Sequence, residues 1–176
     1  MGRRCDGYTL IEVAVTAAML ALLATIGIPS MAALVEHQRT AAVLNSLTTH
    51  MALARLAAVS HRRPAILCPS SSGLSCDAGT DWSGGWMLVL DSNNNRKPDP
   101  ADQLLRVDLA PVSRSLNIHS TSGRPLLRYL PDGRSPGSNL TIAVCSPKGA
   151  LLGSVIVNNA GRPRTSRPAV PTPCPA

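Results

Sequence analysis

Residues 7–35, GYTLIEVAVTAAMLALLATIGIPSMAALV, decide how the rest of the chain is to be read. From Val13 to Val35 there is no charged residue, and Leu, Ile, Val, Ala and Met dominate. That meets the requirement of roughly 20 apolar residues for a helix that spans a bilayer. Arg3 and Arg4 precede the run, so the positive-inside rule keeps them cytoplasmic and puts the remainder of the chain across the membrane. A cleaved secretory signal is the competing reading. It would call for a shorter apolar core, about 7–15 residues, followed by a small-residue cleavage site. Glu12 stands at the head of the run, where an ionisable group is expensive unless it finds a partner. A positive charge on a neighbouring chain is the natural one.

Behind the run, Met31 to about His61 keeps apolar residues at helical spacing: Leu34, Ala41, Leu44, Leu47, Met51, Ala54 and Ala58, with Glu36, Arg39 and Arg55 between them. An amphipathic continuation over 36–62 is expected, stopped by Arg62-Arg63-Pro64 because the residue before proline is pushed out of the helical region. The texture then changes to short apolar runs, Trp86–Leu90, Leu104–Leu109, Leu126–Leu130, Leu140–Cys145 and Ser154–Asn158, separated by Gly, Pro, Asn, Asp and Ser. About 140 residues remain beyond the apolar run, room for one small domain. The expected class is α+β: a long N-terminal helix laid on an antiparallel sheet or on two packed sheets, with 63–176 as a β-rich domain. The Pro-rich end, Arg167 to Pro175, is expected to be an extended tail. No repeat of 20–50 residues is visible.

Gly7-Tyr8-Thr9-Leu10-Ile11-Glu12 resembles the leader and processing site of type IV pilins and pseudopilins. The resemblance implies that a prepilin peptidase removes residues 1–7, cutting after Gly7 and methylating the new N-terminus at Tyr8. It also implies that Glu12 neutralises the N-terminal amine of an adjacent subunit during assembly. The chain would reside in the inner membrane with its domain periplasmic and then join other major and minor pilins in a filament on the cell surface. Tyr8 stands where most members have Phe. Pro29 falls where pilins carry a helix-loosening proline.

Of five cysteines, Cys5 would leave with the leader, and an even four remain in an exported domain, where disulfides persist. Three connectivities are possible. Cys68 with Cys76 and Cys145 with Cys174 is favoured, since one closes a Ser- and Gly-rich loop and the other pins the tail to the strand ending at Cys145. Zinc is the alternative reading, but there is no CxxC pair and His37, His50, His61 and His119 are scattered.

Charge is unevenly placed. Residues 8–102 hold six basic and seven acidic side chains, whereas residues 103–176 hold nine basic ones against Asp108 and Asp132. Eight of those nine are arginine, whose planar fork suits bidentate phosphate contacts, so an anionic polymer is the expected partner. Within this half, Val155 to Arg167 reads as a strand, a turn, and then arginines at alternating positions. If Arg162 to Arg164 is extended, both guanidinium groups share one face. Pro163 confines the segment to an edge or a loop.

Gly161-Arg162-Pro163-Arg164 resembles the GRxR motif of FimT-like minor pilins, which bind DNA for uptake in natural transformation. The resemblance gives Gly161 as the motif glycine and Arg162 and Arg164 as DNA-binding residues; Arg167, Lys148 and Arg134 are candidate additional contacts. A Gly-Arg turn with a purely structural role, in a minor pilin or a GspH-like type II secretion pseudopilin, is the other reading. With no Phe, two Trp and two Tyr in the chain, a base-stacking platform is not expected; nor is a helix that reads the major groove. Binding would be directed at phosphates and independent of sequence. Asp91, Asn93, Asn95, Asp99 and Asp102 follow calcium-loop spacing, but Arg96 replaces the central glycine, and a solvated hairpin loop is the simpler expectation. Neither a catalytic motif nor a cofactor motif is present.

Overall fold

The computed structural model describes residues 8–109, 115–137 and 139–175; the leader with Gly7, and Arg114, lie outside them. Helix α1 runs without a break from Leu10 to His61, across Pro29. Thr9 caps it. Its hydroxyl accepts from the Glu12 N–H at 3.3 Å, and its own N–H donates to the Glu12 carboxylate at 2.9 Å, a reciprocal capping box.

Every described side chain from Tyr8 to Arg39 is exposed, so Leu34, expected on the packing face, is a surface residue. Among the described residues no helix is long and apolar enough to cross a membrane. Ile26, Pro29 and Ser30, inside the run expected to span, have side chains outside the description.

The compact unit is Arg39–Ala176. Its helical part buries Val43, Leu44, Leu47, Met51, Ala54 and Ala58, the spacing of one helix face. Two four-stranded antiparallel sheets complete it. The first has the order β3 (Gln103–Asp108), β2 (Trp86–Leu90), β1 (Ala65–Pro69), β5 (Leu127–Tyr129). The second has the order β4 (Asn117–Ser120), β6 (Leu140–Cys145), β7 (Leu151–Val157), β8 (Pro163–Ser166). One continuous core joins the helix face to Leu67, Trp86, Leu88 and Tyr129 of the first sheet and to Ile118, Ile142, Val144 and Val155 of the second. Every residue of that core lies beyond Gln38, so Arg39–Ala176 carries its own core.

The 91–102 loop between β2 and β3 is a hairpin connection held by carboxylates that cap backbone amides. Asp102 accepts from Ser92 N–H at 2.8 Å, Asp91 from Arg96 N–H at 3.1 Å, and Asp99 from Ala101 N–H at 2.8 Å. Asp99 also accepts from Asn93 at 2.9 Å, and this side-chain donor is the main reason its carboxyl sits below the usual range. One oxygen each of Asp91, Asp99 and Asp102 thus caps a backbone amide of the loop itself.

Disulfides join Cys68 to Cys76 and Cys145 to Cys174. The second carries the tail back onto the sheet, where Leu151 N–H donates to Thr172 at 2.9 Å and Cys174 N–H to Gly149 at 2.8 Å, so the end is tied down and not loose. His119 Nε2 lies 3.3 Å from Cys174 Sγ, but both neighbouring sulfurs are oxidised and offer no thiolate to a metal. The Cys145–Cys174 bridge closes a separation of 29 residues, for which loop entropy predicts a contribution of about 3.6 kcal/mol. Replacing both cysteines with serine should lower the unfolding free energy from urea denaturation by that amount, measured with the other bridge intact.

Candidate nucleic-acid interface

After β7 the chain turns at Asn159-Ala160, with Gly161 N–H donating to Asn158 C=O at 2.8 Å. Gly161 then takes φ +73°, and a Cβ there would run into the Gly133 carbonyl oxygen and lie 2.9 Å from the Tyr129 ring. Both the backbone conformation and the space demand glycine. Gly133 belongs to a second turn, Pro131-Asp132-Gly133-Arg134, in which Leu130 N–H donates to Arg134 C=O at 2.8 Å. Ser135 N–H donates to Asn159 C=O at 3.1 Å and ties the two turns together. Arg134 and Arg162 therefore emerge from adjoining turns, both exposed.

β8 pairs only with β7, with Pro163 opposite Val157 and Arg164 opposite Ile156, and it is an edge of its sheet. Pro163 opens the strand, where its missing N–H interrupts nothing. Arg162 and Arg164 flank it, exposed, with no side-chain hydrogen bond or ion pair among the described residues. Arg167 is different. Its Cγ lies over Gly153, and the side chain has a partner within the protein. Lys148 sits in the β6–β7 turn, at the opposite end of β7 from Gly161, about 20 Å away for a seven-residue strand.

The remaining cations of this half are dispersed. Arg124 packs against Gly137, Arg128 faces Asp91 at 3.6 Å, and Arg106 lies in β3 opposite Leu88. Their clustering in sequence is not a clustering in space. What the sequence reading missed is the support beneath the motif. Gly133 and the buried Tyr129 wall in Gly161, and the Arg55 guanidinium from α1 lies against Gly133. The Pro131-Asp132-Gly133 turn signal was present, but nothing in one sequence joins it to a turn 28 residues later. Trp82, Trp86 and Tyr129, the only Trp and Tyr of this unit, are fully buried, so no such ring is offered for base stacking.

Residues 43–161 match the profile of the family described as Type II transport protein GspH. The chain belongs to that family. Among solved structures, this GspH-family chain is similar to the type IV minor pilin FimU of Pseudomonas aeruginosa, with 21% identity and a TM-score of 0.57, covering 78% of this chain and 95% of FimU. It is also similar to the solution structure of E. coli GspH, with 15% identity and a TM-score of 0.52, covering 75% of this chain and 90% of that one. At such identities the likeness speaks for the fold alone, and it places this chain among pilins and pseudopilins in architecture. Comparison with curated proteins finds no match. The family match ends at Gly161, so Arg162 and Arg164 lie just beyond it.

Two outcomes follow from this packing. Gly161→Ala should destabilise the domain by more than about 1 kcal/mol in chemical unfolding, because the added methyl meets backbone in a left-handed conformation. Burial pushes the Tyr129 phenol up to about 12, slightly offset by Arg55. The folded state then holds its proton more tightly than the unfolded one, so this stabilisation is complete below pH about 10 and is lost between about 10 and 12. Phenolate absorbance of Arg39–Ala176, whose one tyrosine this is, should appear near pH 12 or together with unfolding.

Proposed function

We propose that this pilin-family chain binds extracellular DNA without sequence preference and serves DNA uptake in natural transformation. Arg162 and Arg164 are the principal contacts and Arg134 is an auxiliary one. The observation that carries this reading is an edge strand whose two exposed arginines are spoken for by nothing else among the described residues, set beside a third on the adjoining turn. Guanidinium groups at this spacing suit phosphate oxygens, and the absence of an exposed Trp, Tyr or Phe from the domain directs binding to the backbone. Lys148, at the far end of β7, would contribute only on a long duplex, and Arg167 only by leaving its present partner.

The exposed helix from Tyr8 to Arg39 supports the assembly half of the proposal. A prepilin peptidase cuts after Gly7, the methylated Tyr8 becomes the N-terminus, and residues 8–35 hold the subunit in the inner membrane with its domain periplasmic. Packing against other pilins then removes this apolar surface from lipid. Glu12, which here completes the capping box with Thr9, would meet the neighbouring N-terminal amine with its negative charge at a helix start. A second reading is favoured by the family match stopping at Gly161: a structural minor pilin or type II secretion pseudopilin in which the arginines meet other pilins or acidic cargo.

The double variant Arg162→Ala/Arg164→Ala separates the two. DNA affinity in a filter or mobility-shift assay should fall by most of its value while the circular dichroism spectrum stays unchanged. For about three phosphates engaged, log affinity of the unaltered domain should fall against log salt with a slope near −2.7. Unchanged affinity in the double variant would favour the structural pilin.

A further inference from the structure

A second basic feature occupies the place where α1 ends. A cleft of about 430 Å³, within the size range of small-molecule sites, is lined by Arg62, Arg63, Asp91, Asn94, Arg96 and Arg128 among others. Four arginines and one aspartate thus share its lining, and the Arg128 guanidinium lies 3.6 Å from the Asp91 carboxylate. Arg63 donates to Ser92 C=O at 3.4 Å and Arg128 to Asn94 Oδ1 at 3.0 Å, while Arg62 and Arg96 have no side-chain hydrogen bond or ion pair among the described residues. Their donors are available to a ligand.

The backbone around the cleft is unusual. Arg62, Asn94 and Arg96, with φ of +53°, +59° and +67°, are the three non-glycine residues in the left-handed region among those described, and all three line it. Arg62 closes α1 in the cap position that glycine generally fills, and Arg96 stands where a turn would favour glycine or asparagine. Strain of this kind is concentrated at sites that hold ligands.

Asp91 gives the cleft its selectivity. It is fully buried, its Oδ2 accepts from Arg96 N–H at 3.1 Å and faces Arg128, and its Oδ1 is buried without a partner among the described residues. A buried acceptor requires a donor. The ligand must therefore bring negative oxygens for the arginines together with a hydroxyl for Asp91.

We propose that this cleft binds a phosphate group that carries one proton, as hydrogen phosphate or as the monoanion of a monoester. The second pKa of a monoester, about 6, makes that form the minor one at neutral pH. Arg62, Arg63, Arg96 and Arg128 take its charged oxygens, and its P–O–H donates to Asp91 Oδ1. Sulfate, which has no proton at neutral pH, would set an unpaired oxygen against the carboxylate. Internal phosphodiesters of nucleic acid lack the proton too. The site is thus chemically distinct from the β8 edge and stands or falls separately.

The test is an NMR titration of the Arg39–Ala176 domain, first with inorganic phosphate and then with sulfate at equal ionic strength. Phosphate should shift the amides of Arg62, Asp91 to Arg96 and Arg128, and sulfate should bind about ten-fold more weakly, the scale of one unsatisfied buried acceptor. Asp91→Asn should bring the two anions to within about two-fold of each other, since its amide can serve either. Where that variant fails to fold, Arg62→Ala/Arg96→Ala, which alters exposed side chains only, should abolish the phosphate shifts with the rest of the spectrum unmoved. A 5′-phosphorylated oligonucleotide compared with its 5′-hydroxyl form distinguishes a nucleic-acid end from a free small phosphate as the source. Equal response to phosphate and sulfate in the unaltered domain, or no response at these amides, would overturn the assignment; shifts confined to Gly161–Arg167 would bear on the DNA reading alone.

Discussion

Burial of one face of α1, from Val43 to Ala58, is the constraint on which the rest of the domain depends. Among the described residues neither sheet has another helix to cover its apolar side. Leu47 and Met51 are fully buried in the same core as Trp86 and Tyr129 of the first sheet and Ile142 and Val155 of the second. Removing a large buried side chain there, at a cost of about 2–5 kcal/mol, would loosen both sheets at once. The helix also brings polar groups into the packing: Ser46 donates to Asp108 at 2.8 Å, and His50 meets the edge of Trp86 with ring centroids 6.0 Å apart.

With both sheets anchored on one helix, the turns that leave them at the end of α1 are held in fixed relation. Gly161 can approach the Gly133 carbonyl only because Gly161 carries no side chain, and Tyr129 fills the space beneath. The exposed arginines inherit their rigidity from this packing. A motif that would be a flexible basic tail in isolation is here the start of a paired strand, which lowers the conformational entropy lost when it meets a partner. The same end of the fold gathers Arg62, Arg63 and Arg96 around a buried aspartate, from segments up to 66 residues apart from Arg128.

The sequence made the two-part architecture legible, and for physical reasons. Trp86–Leu90 and Leu140–Cys145 were visible as strands because fully buried strands are continuous apolar runs bounded by turn residues. The edge strands Gln103–Asp108 and Leu127–Tyr129 were visible as shorter runs, and Pro163 marked the last segment as an edge or a loop; Asn117–Ser120 was not visible, because its sequence is polar and pairing on one side alone gives it its structure. Ala65–Pro69, a central strand, was hidden between two prolines. Strand limits drifted at the ends: β7 begins at Leu151 and not Ser154 because pairing with β6 continues past Gly153. The charge count pointed to the C-terminal half as a whole, yet Arg124 and Arg128 are engaged internally, and Lys148 is far from Gly161. Counting along the chain cannot register which turns the topology brings together.

The central claim is that the β8 edge and its adjoining turn form a phosphate-directed surface. Its most direct measurement is an NMR titration of Arg39–Ala176 with a short DNA duplex at low and then physiological salt. The account predicts shifts clustered on Arg134 and Gly161–Arg167 that fade as salt is added. No shifts at low salt, or shifts that ignore salt, would contradict it.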